Sequence, residues 1–155
     1  MKKALILFLT IITFTVYCQN YSQLNSLKQE ILNNPNDTLK IKNFFNTVNA
    51  NRESLNSDSS LNYLKFIYQT SSTIKFDKLT ANVCNILGNI YNGTGEYQDA
   101  LKYLFEAEKI YEKLKNFKML AMVYGTIGNT YLGLKNSNAQ KEYYSKQYNL
   151  ALKNN

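Results

Sequence analysis

The sequence predicts an all-α fold, an α-solenoid of about three helix-turn-helix repeats behind one N-terminal capping helix. Its 155 residues include six glycines and one proline, a composition typical of helices joined by short turns. Apolar residues recur at spacings of three and four, as they do on the buried face of a helix. Similar segments return with a 40-residue period, since LGNIY begins at Leu87 and IGNTY at Ile127. A period of this length indicates stacked helical repeats.

The segment 1–18 is predicted to be a secretory signal peptide. A basic start, MKK, precedes an apolar run over residues 4–17, and the small residue Cys18 stands before a cleavage point at Gln19. The run is shorter than the roughly 20 residues that a membrane-spanning helix needs. We expect a bacterial protein that is exported to the periplasm, the outer membrane or the medium. It would touch a membrane only through this leader, either uncleaved or lipidated at Cys18.

Residues 19–35 are predicted to form the capping helix, which ends at Pro35. Its apolar residues are Leu24, Leu27 and Ile31. Asp37 follows directly, and its short acidic side chain suits the N-cap of the next helix. The repeats therefore begin close to this residue.

The repeat domain is predicted to cover residues 36–155. Its three repeats are residues 36–75, 76–115 and 116–155, and one tyrosine column joins them at Tyr63, Tyr103 and Tyr143. In the third repeat Ala139, and not Gln140, is expected to take the position reserved for a small residue. This implies a one-residue slip in the turn at residues 135–138.

The middle repeat carries a known pattern. Its signature residues are Leu87, Gly88, Tyr91, Gly95, Tyr97, Ala100, Leu104 and Ala107. This order resembles the tetratricopeptide repeat. The small residues Gly88 and Ala100 would let helices approach closely where a larger side chain would overpack. The resemblance implies a scaffold that binds a peptide or protein segment and is not an enzyme.

The same resemblance places the first helix of each repeat along a concave groove. Matching the pattern residue by residue puts the following residues on the inner face: Lys42, Phe45, Asn49 and Arg52, then Asn82, Asn85, Asn89 and Asn92, then Met122, Asn129 and Leu132. Three of them form a ladder at 40-residue intervals, namely Asn49, Asn89 and Asn129. An asparagine amide both donates and accepts hydrogen bonds, so the ladder would hold a peptide backbone. The alternative is an ordinary solvated face in a chain rich in asparagine.

Two of these inner-face residues are basic. Lys42 and Arg52 are expected about three helical turns apart, where they would attract an acidic peptide or a terminal carboxylate. A solvated helix face explains both charges equally well. Three acidic residues later in the chain, Glu106, Glu108 and Glu112, alternate with lysines and indicate an outer helix face laced with ion pairs.

Cys84 is expected to be a core residue. The 40-residue alignment sets it level with Phe44 and Tyr124, at a buried column of the first helix. If the leader is removed, Cys84 is the one cysteine left in the mature chain, so no intrachain disulfide forms. Stability then has to come from helix packing.

Several classes of function are disfavoured by composition. The net charge of +7 is mild, and the lysines are scattered instead of clustered in the basic stripe that nucleic-acid binding requires. The chain has no histidine, the commonest general base and metal ligand. We find no catalytic constellation, phosphate-binding loop or metal-ligand cluster, and so expect no cofactor and no enzyme activity.

Two other functions stay open. The 40-residue spacing and the segment NDTLKIKNFF resemble the exported sensor segments of certain bacterial histidine kinases and transcriptional regulators, which implies a stand-alone or truncated sensor module. A self-assembling envelope protein is the other alternative. It would associate through the last helix, whose apolar edge carries Tyr143, Tyr144, Leu150 and Leu152.

Overall fold

The computed structural model describes residues 21–52, 55 and 57–153, and the predicted signal peptide lies outside these residues. In this part of the chain there are seven helices and no strand, which confirms the all-α prediction. The helices are α1 (residues 21–33), α2 (Thr38–Ala50), α3 (Ser57–Thr73), α4 (Asp77–Thr94), α5 (Tyr97–Lys113), α6 (Phe117–Gly133) and α7 (Ser137–Lys153). Of the helices described, none is long and apolar enough to cross a bilayer.

The chain divides into two compact units, one ending at Thr70 and the other beginning at Ser71. The first unit holds α1, α2 and most of α3. Its core consists of fully buried side chains from all three helices, namely Leu24, Ile31, Ile41, Phe44, Val48, Leu64 and Ile67. The predicted N-cap is confirmed, because the Asp37 carboxylate accepts a hydrogen bond of 3.0 Å from the backbone N–H of Lys40.

The second unit is a stack of two helix pairs, α4 with α5 and α6 with α7, and α6 also packs against both α4 and α5. Consecutive helix pairs that pack in this way make an all-α solenoid. Close contacts depend on two glycines at equivalent positions of the two pairs. A Cβ atom on Gly88 would lie 2.5 Å from the Leu104 Cγ, and one on Gly128 would lie 2.5 Å from the Tyr144 ring. A larger residue at either position would overlap the facing side chain, so that Leu104 or Tyr144 would have to move.

Four helices end in the same turn. Residues in the left-handed region follow one another at 20-residue intervals, with φ of 56° at Lys75, 82° at Gly95, 52° at Lys115 and 56° at Lys135. In each turn the next residue donates its backbone N–H to the carbonyl five residues back, at 2.8 to 3.0 Å. The left-handed residue donates to the carbonyl three residues back, at 3.0 to 3.2 Å. This pair of bonds is the Schellman motif, which satisfies carbonyls that a helix end leaves open.

The predicted slip in the third repeat is wrong. Helix α7 keeps the 40-residue register of α5 at both of its ends, and the turn at Lys135 is the counterpart of the turn at Gly95. Gln140 therefore occupies the position of the buried Ala100, and it is half-buried there. A flexible polar side chain can take the small-residue position because α7 is less buried than α5: none of the described residues of α7 is buried.

The four turns provide a matched test of the backbone. A side chain in the left-handed conformation costs roughly 1 kcal/mol or more compared with glycine. We expect Gly95→Ala to lower the free energy of unfolding by about 1 kcal/mol, and Lys115→Gly to raise it by up to about 1 kcal/mol. Urea denaturation followed by circular dichroism measures both. A shift in the same direction for the two variants would contradict the role given to these turns.

Candidate functional site

The first helices of the second unit, α4 and α6, share one exposed surface, which we call the α4–α6 face. It consists of four predicted site residues: Asn89, Met122, Asn129 and Leu132. Met122 is 51% exposed and Leu132 is 56% exposed, and both asparagines are exposed as well. The face thus combines amide groups with apolar side chains that are about half exposed.

Asn89 is held in place by hydrogen bonds within the protein. Its Nδ2 donates to the backbone carbonyl of Asn85 at 2.7 Å and to the Asn85 Oδ1 at 3.3 Å. The Thr126 hydroxyl of α6 shares its one proton between the Asn89 Oδ1 at 3.4 Å and the backbone carbonyl of Met122 at 3.2 Å. Asn85 itself is only 8% exposed, so it supports Asn89 from below. The sequence had no signal for Thr126, because its partner is distant along the chain and belongs to another helix.

Asn129 is oriented from α7. The Tyr144 hydroxyl donates to the Asn129 Oδ1 at 2.6 Å, while the Tyr144 ring covers Gly128. The Asn129 Nδ2 makes no hydrogen bond to the described residues. Its two N–H groups can donate to a ligand, and the bond to tyrosine fixes the direction in which they point.

Two other predicted contact residues belong to the packing of the repeat. The buried Tyr111 hydroxyl donates to the Asn82 Oδ1 at 2.7 Å. Burial, with a smaller contribution from Cys84, raises the pKa of Tyr111 to about 12, so the phenol keeps the proton it donates. The Asn92 Oδ1 is buried without a hydrogen-bond partner among the described residues. We therefore restrict the candidate site in this unit to the exposed α4–α6 face.

The first unit carries the other predicted contacts. Lys42 and Asn49 are exposed on α2, and Phe45 is half-buried on the same helix. Arg52 is exposed but lies beyond the end of α2 at Ala50, in the following turn. The prediction that Lys42 and Arg52 stand on one helix is therefore wrong, because the helix stops earlier than the periodicity indicated.

Two of the acidic residues predicted to lie on an outer face laced with ion pairs, Glu108 and Glu112, accept hydrogen bonds from tyrosines. The Tyr143 hydroxyl donates to the Glu108 Oε2 at 3.4 Å, and the Tyr124 hydroxyl donates to the Glu112 Oε1 at 3.1 Å. Burial raises the pKa of Glu108, while the ammonium of Lys146 acts in the opposite direction. Both carboxylates therefore join α5 to the next helix pair.

Cys84 is a core residue, as predicted. Its side chain is fully buried. Burial, with a smaller contribution from Glu106, raises the pKa of the thiol far above its ordinary value of 9.0, so the reactive thiolate is not formed at neutral pH. In the described part of the chain no cluster of three or more metal-ligating side chains occurs either.

The stacked helix pairs define a helical-repeat scaffold, a class that binds other proteins along an exposed face. The family model for the tetratricopeptide repeat matches residues 81–114 and residues 121–154. The two matched segments support assignment to the tetratricopeptide repeat family, whose repeats are typical of non-catalytic scaffolds for protein interaction. Searches of curated proteins and of solved structures each give no match.

The burial of Cys84 has a direct chemical test. A thiol reagent such as DTNB should label the chain purified without its leader only after denaturant is added. Ser145→Cys, which puts a thiol on the exposed side of α7, should react at once in the native protein. Rapid labelling of native Cys84, with the helical circular dichroism signal unchanged, would place the thiol at the surface and refute its role in the core.

Proposed function

We propose that this protein is an exported scaffold that holds an extended peptide or protein segment on its α4–α6 face. The observation that carries the proposal is the pair of exposed amides, Asn89 and Asn129, at the same register of consecutive first helices. Each amide is held by an internal hydrogen bond. Groups that are already ordered lose little entropy when a ligand binds.

The amides would act on the backbone of the ligand. The N–H groups of Asn129 suit peptide carbonyls, and the carbonyls of an extended segment are present whatever its side chains are. A hydrogen bond contributes about 0.5–1.5 kcal/mol net, whereas a Kd of 1 μM corresponds to about 8 kcal/mol. Two amides therefore fix register and direction but do not account for such an affinity. The apolar side chains of Met122 and Leu132 would supply much of the remainder.

This division of roles predicts the ligand. It should be an extended segment with apolar side chains at the positions that contact Met122 and Leu132. The identity of its other side chains should matter little. The exposed groups Lys42 and Asn49 of α2 remain predicted contacts of the first unit. A longer ligand that used them would benefit from an acidic residue or a terminal carboxylate beside Lys42.

Binding can be tested with peptides selected from a random displayed library on the immobilised chain from Gln19. Selected peptides should bind with a Kd of roughly micromolar order in fluorescence anisotropy. The double variant Asn89→Ala, Asn129→Ala should weaken binding about fivefold or more, because two hydrogen bonds of this strength contribute about 1–3 kcal/mol together.

The matched control changes two asparagines that are exposed elsewhere, Asn43→Ala with Asn138→Ala. It should leave the Kd unchanged. Circular dichroism must show both double variants folded at the temperature of the binding experiment, so that any loss of affinity is local. Peptides that bind all three proteins equally well would rule out the α4–α6 face as the binding site.

Export is the second part of the proposal, and it is supported by the leader pattern of residues 1–18. A chain whose one mature cysteine is buried also suits an oxidising compartment, since it offers no exposed thiol for unwanted disulfides. Expression of the full chain in a bacterium should yield an extracytoplasmic product. Its measured mass should be that of a chain that begins at Gln19. A product that retains Met1 would contradict cleavage, and one with lipid on Cys18 would show membrane anchoring instead.

A further inference from the structure

Helix α7 has an exposed side that the α4–α6 face does not include. We call it the α7 face, and it consists of the half-buried Tyr144 at its edge and five exposed residues, Lys141, Ser145, Tyr148, Asn149 and Leu152. Residues at these spacings lie along one side of a helix. Tyr148 is 64% exposed and Leu152 is 61% exposed, and a shallow open pocket runs along the face from Lys141 to Asn149. Two exposed apolar side chains on one side of a helix make this face a candidate site of interaction.

Comparison with α5, 40 residues earlier, indicates which kind of structural element could pack on this face. Tyr148 and Leu152 correspond to Glu108 and Glu112 of α5. Those two glutamates are the residues that accept hydrogen bonds from tyrosines of the next helix pair. Positions 148 and 152 are thus the ones at which one pair of helices meets another. The α7 face is shaped for a helix lying where α6 lies on α5.

The α7 face carries different functional groups from the equivalent side of α5. Where α5 presents two carboxylates, α7 presents a phenol and a leucine, and Lys141 replaces the apolar Leu101. Glu142 is the one acidic residue of α7, and it already pairs with Lys146 at 2.9 Å. Lys141 makes no ion pair with the described residues. The face therefore offers one cation and one phenolic donor, and lacks an acceptor carboxylate of its own.

Charge decides between the candidate occupants. A second copy of the chain would bring another α7 with three lysines and one glutamate, and the whole chain carries a net charge of +7. Like charges placed opposite each other disfavour that pairing. A helix with carboxylates beside its apolar stripe would accept a hydrogen bond from Tyr148 and an ion pair from Lys141. We propose that the α7 face docks an acidic amphipathic helix of a partner protein, in the position that α6 takes on α5.

The test uses two synthetic helical peptides that differ only in charge. Both copy the buried apolar residues of α6, namely Leu120, Val123, Tyr124 and Ile127, and the flanking positions are glutamate in one peptide and lysine in the other. Fluorescence anisotropy with the chain from Gln19 should show binding of the acidic peptide at least ten times tighter than that of the basic one. Lys141→Glu should remove or reverse this preference.

Two leucine variants separate this site from the α4–α6 face. Leu152→Asp should weaken the acidic peptide at least tenfold, whereas Leu132→Asp, at a leucine of similar exposure, should leave it unchanged. Because both side chains are exposed, circular dichroism should show both variants folded. Equal affinity for the two peptides, or equal loss in the two variants, would overturn the proposal. So would a wild-type dimer in sedimentation velocity that Leu152→Asp dissociates, since a second copy would then be the occupant.

Discussion

The left-handed turn that recurs at Lys75, Gly95, Lys115 and Lys135 is the constraint on which the second unit depends. It ends each helix at an equivalent position. Because the helices have nearly the same length, each helix with its turn occupies 20 residues. This constant spacing determines which side chains of neighbouring helices are in contact. Leu104 lies over Gly88, and Tyr144 lies over Gly128 at the same register of the next pair. One extra residue within a helix would rotate the side chains that follow it by about 100° about the helix axis and remove such contacts. Three of the four turns use lysine instead of glycine, so the hydrogen bonds of the turn and the packing around it outweigh the cost of the conformation.

The same frame supports two chemically different surfaces. Where α5 places Leu104 against its partner helix, α7 places Tyr144, and the added hydroxyl reaches Asn129. The packing residue thereby orients a residue of the candidate binding face. Where α5 places Glu108, α7 places the exposed Tyr148. Substitution at fixed register changes what a repeat presents without changing how it folds.

The helices were predictable from sequence because periodicity and turn residues are local signals. The buried state of Cys84 was predictable too, since the 40-residue alignment set it level with two bulky residues. The surroundings of the predicted site residues were less predictable. Asn82 and Asn85 carry the same amide as Asn89, and only the structure shows that Asn82 accepts a hydrogen bond from Tyr111 and that Asn85 accepts one from Asn89. The turn at Lys135 was misjudged because lysine carries no local signal for a left-handed conformation, whereas glycine does.

The two surfaces would recognise ligands in different ways. The amides of the α4–α6 face carry no net charge, so binding there should change little with salt and should depend on the apolar side chains that meet Met122 and Leu132. The α7 face carries Lys141, and attraction to an acidic helix would weaken as salt screens it. Tyr144 touches both regions, because its ring lies on α7 and its hydroxyl holds Asn129. A partner helix that shifted this ring would change the direction of the Asn129 N–H groups. Occupation of one surface would then alter affinity at the other, by an amount equal in both directions.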